Sequence, residues 1–401
     1  MRPVELLSPA GDLEKCKTAL YFGADAVYAG GPMLNLRAGS ANFTMDELSQ
    51  AVDYAHARGK KLYVTVNAFA RNADFIPFPS YVRALDAMGV DAILVSDLGF
   101  LSAARQAAPD LEIHISTQAN CLNYMAARTY HDLGAKRVVL ARECTLAQIA
   151  EIRARVPDTL ELEAFVHGAM CMAYSGRCLI SSFLTGRDSN RGDCAQACRW
   201  NYALMEEKRP GEYFPVYEDD GSTTLLSSYD LNLIEHLDAL RQAGLDSLKI
   251  EGRMKSVGYV ATVTNAYRKA LDGESDLSLL QRELHSVSHR EFSTGFYFDE
   301  LRVHPASQGM YLQDCTFAAI VRQSAAGQAL VEQKNKFSLG DTLEILSPGS
   351  LGLSFPLEQM WDADTGQPLQ SAPHPAQRVR IACPYPLHEM DILRKRLPKH
   401  P

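Results

Sequence analysis

The sequence predicts an α/β fold, a (β/α)8 TIM-like barrel followed by a small all-β barrel domain at the C-terminus. Three observations carry this. Eight short apolar runs alternate with amphipathic segments over roughly the first 270 residues, the count and size of such a barrel. The runs are rich in Val, Ile and Leu, as strands buried on both faces are. Beyond about Gly309 the pattern changes to short strand candidates separated by turn signals such as Ser347-Pro348-Gly349 and Asp364-Thr365-Gly366.

In chain order the predicted barrel strands are Val4–Leu7, Ala26–Ala29, Leu62–Asn67, Ala92–Ser96, Ile113–Thr117, Val138–Ala141, Leu160–Val166 and Leu248–Glu251. The segments between them have helical periodicity. Leu146, Ile149, Ile152 and Val156 recur on one helix face. Thr44-x-x-Glu47 and Thr145-x-x-Gln148 read as capping boxes, in which the side chains satisfy the orphan N–H groups of a first helical turn. Gly23, Gly59, Gly89, Gly134 and Gly244 stand where helices end and suit the left-handed C-cap conformation. An open doubly wound sheet is the competing arrangement, but no G-x-G-x-x-G turn follows the first strand.

The expected domains are a barrel over residues 1–271 with a Cys-rich insertion at 168–230, a connector at 272–308, and a β-barrel domain at 309–401. Within the insertion, Glu206–Thr224 reads as a hairpin, and so long a βα loop marks a functional element. Predicted strands of the last domain are Phe317–Val321, Ala329–Val331, Thr342–Leu346 and Val379–Ala382.

Composition narrows the function classes. An apolar fraction of 46% excludes disorder as the main state, and 401 residues exceed a single core. The start Met1-Arg2-Pro3-Val4-Glu5 lacks the apolar stretch of a signal peptide, and no run of apolar residues is long enough for a membrane span. The expectation is a cytoplasmic protein with reduced thiols. The net charge of −8 speaks against a surface coated for nucleic acid but leaves room for a local basic patch.

Four of the nine cysteines form Cys171-x6-Cys178-x15-Cys194-x3-Cys198. Four soft thiolates on one loop suit a metal centre, either an iron–sulfur cluster or a structural zinc. The spacing departs from the two close pairs of a zinc knuckle. Thiols without metal are the bland alternative. The other five, Cys16, Cys121, Cys144, Cys315 and Cys383, read as small buried hydrophobes. Around the cluster, Arg177, Arg187, Arg191 and Arg199 outnumber Asp188 and Asp193. A second basic stretch is the tail Arg394-Lys395-Arg396-Leu397-Pro398-Lys399, whose ordinary reading is a solvated end. RNA bound through such patches would be released by salt.

The stretch from Glu163 to Ser181, with Phe165, Gly168, Cys171, Gly176 and Cys178 between, resembles the signature of the U32 peptidase family, the collagenase-like proteases. So do Leu6-Leu7-Ser8-Pro9-Ala10-Gly11, Tyr28-Ala29-Gly30-Gly31, Arg37 with Asn42-Phe43-Thr44, Ser116-Thr117-Gln118, Lys249-Ile250-Glu251-Gly252-Arg253-Met254-Lys255, the connector around Arg290, and His374-Pro375. The likeness spans essentially the whole chain. Its name implies proteolysis, yet neither G-x-S-x-G nor H-E-x-x-H occurs here.

The resemblance implies more than a peptidase. Better-understood branches are iron–sulfur proteins that hydroxylate RNA bases or quinone precursors without oxygen, and the extra β domain favours an RNA-directed branch. The implied activity is formation of 5-hydroxyuridine at the tRNA wobble position, with prephenate as the hydroxyl source and a 4Fe–4S cluster on Cys171, Cys178, Cys194 and Cys198. Hydroxylation of an rRNA cytidine is the sister activity, and peptidase action on unfolded chains is the other alternative.

Barrel chemistry needs side chains at the carboxyl ends of strands. By position the catalytic candidates are Glu163, His167 and Glu251, and the substrate-binding candidates are Arg37, Asn67, Gln118, Arg142, Arg253 and Lys255. Glu163 and His167 lie four apart in one strand, so alternation puts them on one face. His167 suits proton transfer near neutral pH, or the plainer task of orienting the cysteine loop. Arg253 and Lys255 suit a phosphate or the carboxylates of prephenate. A Glu251–Arg253 ion pair closing the barrel is the structural alternative.

Overall fold

The computed structural model describes residues 3–36, 42–170, 178, 180–197, 204–205, 213–214, 217–219, 222–224, 229–298, 311–325 and 327–397. The chain falls into two compact units. One comprises Met1–Lys17, Asp25–Met254 and Arg290–Met310, and the other Thr18–Ala24, Lys255–His289 and Tyr311–Pro401. The second unit thus takes in helical segments that the division at residue 271 leaves with the barrel and the connector.

In the first unit the chain forms β1 (Glu5–Ala10), β2 (Ala26–Gly30), β3 (Lys61–Val66), β4 (Ala92–Val95), β5 (Glu112–Ile115), β6 (Arg137–Val139) and β7 (Glu161–Ala169). The long loop after β7 holds two antiparallel pairs, β8 (Leu204–Met205) with β9 (Tyr213–Phe214), and β10 (Tyr217–Asp219) with β11 (Ser222–Thr224). The second of these lies inside the expected hairpin. Strand β12 (Asp230–Asn232) then runs antiparallel to the end of β7. Strand β13 (Ser247–Ile250) pairs in parallel with both β1 and β7 and closes an eight-stranded barrel. All eight predicted strands are present.

Between the barrel strands run α1 (Leu13–Tyr21), α2 (Met45–His56), α3 (Phe78–Ala87), α4 (Leu98–Ala107), α5 (Tyr124–Asp132) and α6 (Leu146–Arg155). Helix α7 (Ile180–Thr185) belongs to the cysteine loop, and α8 (Leu237–Gln242) leads into β13. Both capping boxes are formed. The Thr145 hydroxyl accepts from the Gln148 N–H at 3.2 Å, while the Thr145 N–H donates to the Gln148 side chain at 2.9 Å. We expect Thr145→Ala to lower stability by about 1 kcal/mol, read as a shifted denaturant midpoint. An unmoved midpoint would show that the cap contributes nothing. The five helix-ending glycines all have positive φ, from 66° to 99°.

The barrel interior departs from the usual layers of branched aliphatics. Glu163 is fully buried and receives Lys249 Nζ at 2.8 Å and Arg137 Nη1 at 2.9 Å. Arg137 also meets Glu161 at 2.7 Å and Glu5 at 2.5 Å. Glu5 in turn accepts from Tyr63 Oη at 2.7 Å and Ser247 Oγ at 2.9 Å. The Tyr63 ring lies edge-on to buried His114, with centroids 4.8 Å apart. Burial and the charge of Arg137 hold the His114 pKa below its ordinary value. Glu5, Arg137 and Glu161 stand at the amino-terminal ends of β1, β6 and β7, opposite the face where barrel enzymes carry chemistry.

The second unit contains α9 (Val257–Leu271) and α10 (Leu277–His285), the latter a helix inside the expected connector. The connector also supplies β14 (Phe292–Ser293), which pairs with β12 in the first unit. The remaining strands are β15 (Cys315–Ala325), β16 (Gln328–Gln333), β17 (Phe337–Ser338), β18 (Thr342–Ser347), β19 (Ser350–Pro356), β20 (Met360–Asp362), β21 (Ser371–Ala372), β22 (Arg378–Ala382) and β23 (Ile392–Arg396). Seven form an antiparallel sheet in the order β19-β18-β23-β15-β16-β22-β20, and β17 pairs with β21. Val331, Phe337, Leu343, Phe355, Val379 and Leu393 fill its core. The all-β reading holds, and the four predicted strands fall within β15, β16, β18 and β22.

The basic tail is not a free arm. Arg394, Lys395 and Arg396 belong to β23 and each is paired: Arg394 with Glu283 at 2.7 Å and Glu344 at 3.0 Å, Lys395 with Asp341 at 3.0 Å, and Arg396 with Glu344 at 2.7 Å. Lys399 lies outside the described residues.

Candidate functional site

The carboxyl ends of the barrel strands carry a polar cluster. Strands β6 and β13 both flank β7, so the residues that follow them converge over its end. Arg142, after β6, donates from Nη2 to Glu251 Oε2 at 3.0 Å and from Nη1 to the Ala169 carbonyl at 3.2 Å. Its guanidinium lies 3.9 Å from the Phe165 ring centroid. Glu251 thus pairs with Arg142, a partner other than the Arg253 of the structural alternative. Arg142 brings the opposite charge from a neighbouring strand end.

Arg253 turns toward β2 and β3. Nη1 donates to Thr65 Oγ1 at 2.8 Å, and Nη2 to Asn35 Oδ1 at 2.9 Å and Asn42 Oδ1 at 3.4 Å. The cradle explains two glycines of the sequence motifs. A Cβ on Gly30 would stand 2.7 Å from Arg253 Nη1, and one on Gly11 only 2.2 Å from the Arg253 carbonyl oxygen. Lys255 ends the same sequence motif. It belongs to the second unit, where Nζ donates to the Ser288 carbonyl at 3.0 Å beside the Tyr259 and Tyr311 rings. Arg37 lies outside the described residues.

Asn67 and Gln118 meet through one hydroxyl. Asn67 follows β3 and donates from Nδ2 to Ser116 Oγ at 3.0 Å, and the Gln118 backbone N–H donates to the same oxygen at 3.4 Å. The Asn67 Oδ1 and Gln118 Oε1 atoms are buried and have no hydrogen-bond partner among the described residues. Asp97, at the end of β4, is occupied as the N-cap of α4.

Glu163 and His167 do not share a face. Ser247 and Lys249 face the interior, because they touch Glu5 and Glu163. Leu248 and Ile250 therefore face outward. The register passes from Lys249 opposite Phe165 to Ile250 opposite His167, so β7 carries an extra residue, Val166. That bulge reverses the alternation and places His167 with Ile250 on the outer face. There its ring lies 5.4 Å from Phe292. Glu163 stays inside the ion network. Burial raises its pKa, but Lys249 and Arg137 outweigh that and hold it at about 2, so the group is a fixed carboxylate rather than a proton shuttle. The interior partners Glu5, Arg137 and Lys249 were not among the candidates. Their signal is a charge set within an apolar strand run, rarely buried unless paired.

The cysteine loop is tied to the face that carries this cluster. Asn190 donates from Nδ2 to the Cys178 carbonyl at 2.9 Å, and its own carbonyl accepts from the Phe69 N–H at 3.1 Å, in the loop after β3. Arg191 pairs with Asp74 at 2.8 Å, and Arg71 with Asp188 at 3.2 Å. Ser181 Oγ accepts from the Ala195 N–H at 2.9 Å, linking the segments that bear Cys178 and Cys194. Both thiols are free and half-buried. The Gln196 N–H lies 3.4 Å from Cys194 Sγ, a donor placed to stabilise a thiolate. Cys171 and Cys198 lie outside the described residues, as do Arg177 and Arg199. The described basic residues of this loop are neutralised, Arg187 by Asp193 at 2.7 Å and Arg191 by Asp74.

The five scattered cysteines are all buried. Burial pushes the thiols of Cys16 and Cys144 up to about 12 and those of Cys121 and Cys315 up to about 11, which keeps them protonated. The two described thiols of the cysteine loop, Cys178 and Cys194, are half-buried instead, and the chemistry of thiolate donors fits a metal centre.

Among the described residues, no helix is long and apolar enough to cross a membrane. Known proteins similar to this chain include "tRNA hydroxylation protein P1" of Bacillus subtilis (strain 168), 38% identical over 98% of this chain and 94% of its own length. A 23S rRNA 5-hydroxycytidine synthase of Escherichia coli (strain K12) is 40% identical over 67% of this chain but only 39% of its own length. A protein named "Collagenase" from Porphyromonas gingivalis is 32% identical over 74% of both chains. The pattern of peptidase family U32 matches residues 11–305, and that of the peptidase family U32 C-terminal domain matches residues 313–394. The chain belongs to peptidase family U32 and carries that family's C-terminal domain.

Proposed function

We propose that this chain is an RNA-modifying enzyme that hydroxylates an RNA base, and that its product is 5-hydroxyuridine at the wobble position of tRNA. The observation that carries the reading is the 38% identity to a tRNA hydroxylation protein, sustained over 98% of the chain. The docking of the free thiols Cys178 and Cys194 on the carboxyl-end face of the barrel supports it. Cys171, Cys178, Cys194 and Cys198 would hold a 4Fe–4S cluster, with zinc as the competing occupant. A bound cluster supplies Lewis-acid and electron-transfer chemistry beside the strand ends.

The chain's own residues divide the remaining work. Arg142 and Arg253 bind the anionic groups of the substrates, a nucleotide phosphate or the carboxylates of prephenate, which serves as hydroxyl donor. Glu251 orients Arg142 through their 3.0 Å pair and is the carboxylate at the mouth placed to accept a proton. The protein works in the cytoplasm, where thiols stay reduced.

The likeness to the Porphyromonas protein favours a second reading, hydrolysis of unfolded polypeptide. One assay separates the two. Anaerobically purified protein with reconstituted iron is incubated with unmodified tRNA and prephenate, and in parallel with gelatin. Hydroxylated uridine in the tRNA digest supports our reading. Cleaved gelatin with unchanged tRNA supports the other.

A further inference from the structure

We propose that Asn67 Oδ1 and Gln118 Oε1 form an acceptor site for an N–H or O–H donor on an anionic ligand at the barrel mouth. The inference rests on the reading that this mouth binds a nucleotide or prephenate, and it names the atoms that select the ligand.

The geometry sets the direction of the Asn67 amide. Ser116 Oγ accepts from Asn67 Nδ2 and from the Gln118 N–H, so the Asn67 amide must present its nitrogen to Ser116 and turn its oxygen away. The Asn67 carbonyl is held separately by Ser96 Oγ at 3.1 Å, which pins the residue at the junction of β3 and β4. Both side-chain oxygens are buried and lack a partner among the described residues. A buried carbonyl oxygen left in that state carries an uncompensated desolvation cost. That cost is recovered by a ligand bringing a donor.

The neighbours decide what kind of ligand that is. Thr65, near the end of β3, stands two residues before Asn67, an offset of about 7 Å along an extended chain. It carries the Arg253 guanidinium at 2.8 Å. A cation held on this neighbouring residue disfavours a metal ion between the two carbonyls and favours a ligand that is itself negatively charged. The occupant is therefore an anion that also bears a hydrogen-bond donor. A pyrimidine nucleotide meets this description through its ring or exocyclic N–H, and a hydroxylated dicarboxylate such as prephenate through its alcohol.

The test is calorimetric titration of the full chain with prephenate and, separately, with an anticodon stem-loop RNA. Gln118→Met removes the acceptor at nearly constant volume, whereas Gln118→Glu keeps an oxygen in place. We expect Gln118→Met to weaken one of the two ligands by roughly 10-fold or more, with Gln118→Glu much nearer the parent. The ligand that weakens is the occupant. Gln118→Ala serves the same purpose should the Met variant not fold, and an unchanged Tm shows that the loss is local. Parent and Gln118→Met binding both ligands equally overturns the acceptor site and leaves the proposed function standing. A parent chain that binds neither overturns both.

Discussion

Replacing Glu163 by Gln is expected to destabilise the barrel by about 3–5 kcal/mol, because it leaves buried positive charge uncompensated. Lys249 and Arg137 both direct their charges at this carboxylate, at 2.8 and 2.9 Å, and all three side chains are buried. Glutamine keeps the shape but offers one neutral oxygen where two charged ones stood. The pH dependence has a definite sign. Despite the opposing effect of burial, Lys249 and Arg137 depress the folded-state pKa from 4.5 to about 2. The stabilisation is therefore complete above pH 4.5 and is lost as the pH falls toward 2. Denaturant midpoints of parent and variant should differ most at neutral pH and converge in that acidic window. Equal midpoints at pH 7 would show that the network holds nothing together.

Cys178→Ser and Cys194→Ser are each expected to strip the protein of most of its iron and labile sulfide while leaving the fold intact. Both thiols are free and half-buried on a loop, so the loss of sulfur removes little packing. Cys16→Ala is the contrasting substitution. That residue is fully buried on α1 with its thiol pushed up to about 12, so it should cost stability and leave iron content unchanged. Iron and sulfide assays on anaerobic preparations, beside thermal melts, read both quantities. Serine variants that retain the parent's iron would remove these two residues from the metal centre.

Much of this molecule was legible in its sequence, and the gaps have physical causes. The eight strands, the two capping boxes and the glycine C-caps depend on neighbours within a few residues, and all are formed. The site was harder to read where one residue changes the phase of a strand. Val166 is an ordinary strand residue in sequence, yet as a bulge it sends His167 to the face opposite Glu163. Partner choice was equally hidden. Glu251 pairs with Arg142, and Arg253 reaches Thr65, because barrel closure brings distant strand ends together. The tail read as a basic end because Glu283, Glu344 and Asp341, which neutralise it, are far away in the chain. Gln118 and Asn67 were found by position at strand ends, but only the geometry shows which atoms they present.

RNA-base hydroxylation by this chain can be read directly in the cell's own RNA. Mass spectrometry of tRNA and rRNA nucleosides, from cells with and without its gene, tests that most directly. Loss of 5-hydroxyuridine and its derivatives from tRNA is expected in the deletion strain. The parent gene should restore them, and the Cys178→Ser gene should not. Nucleoside profiles identical with and without the gene, in tRNA and rRNA alike, would contradict it.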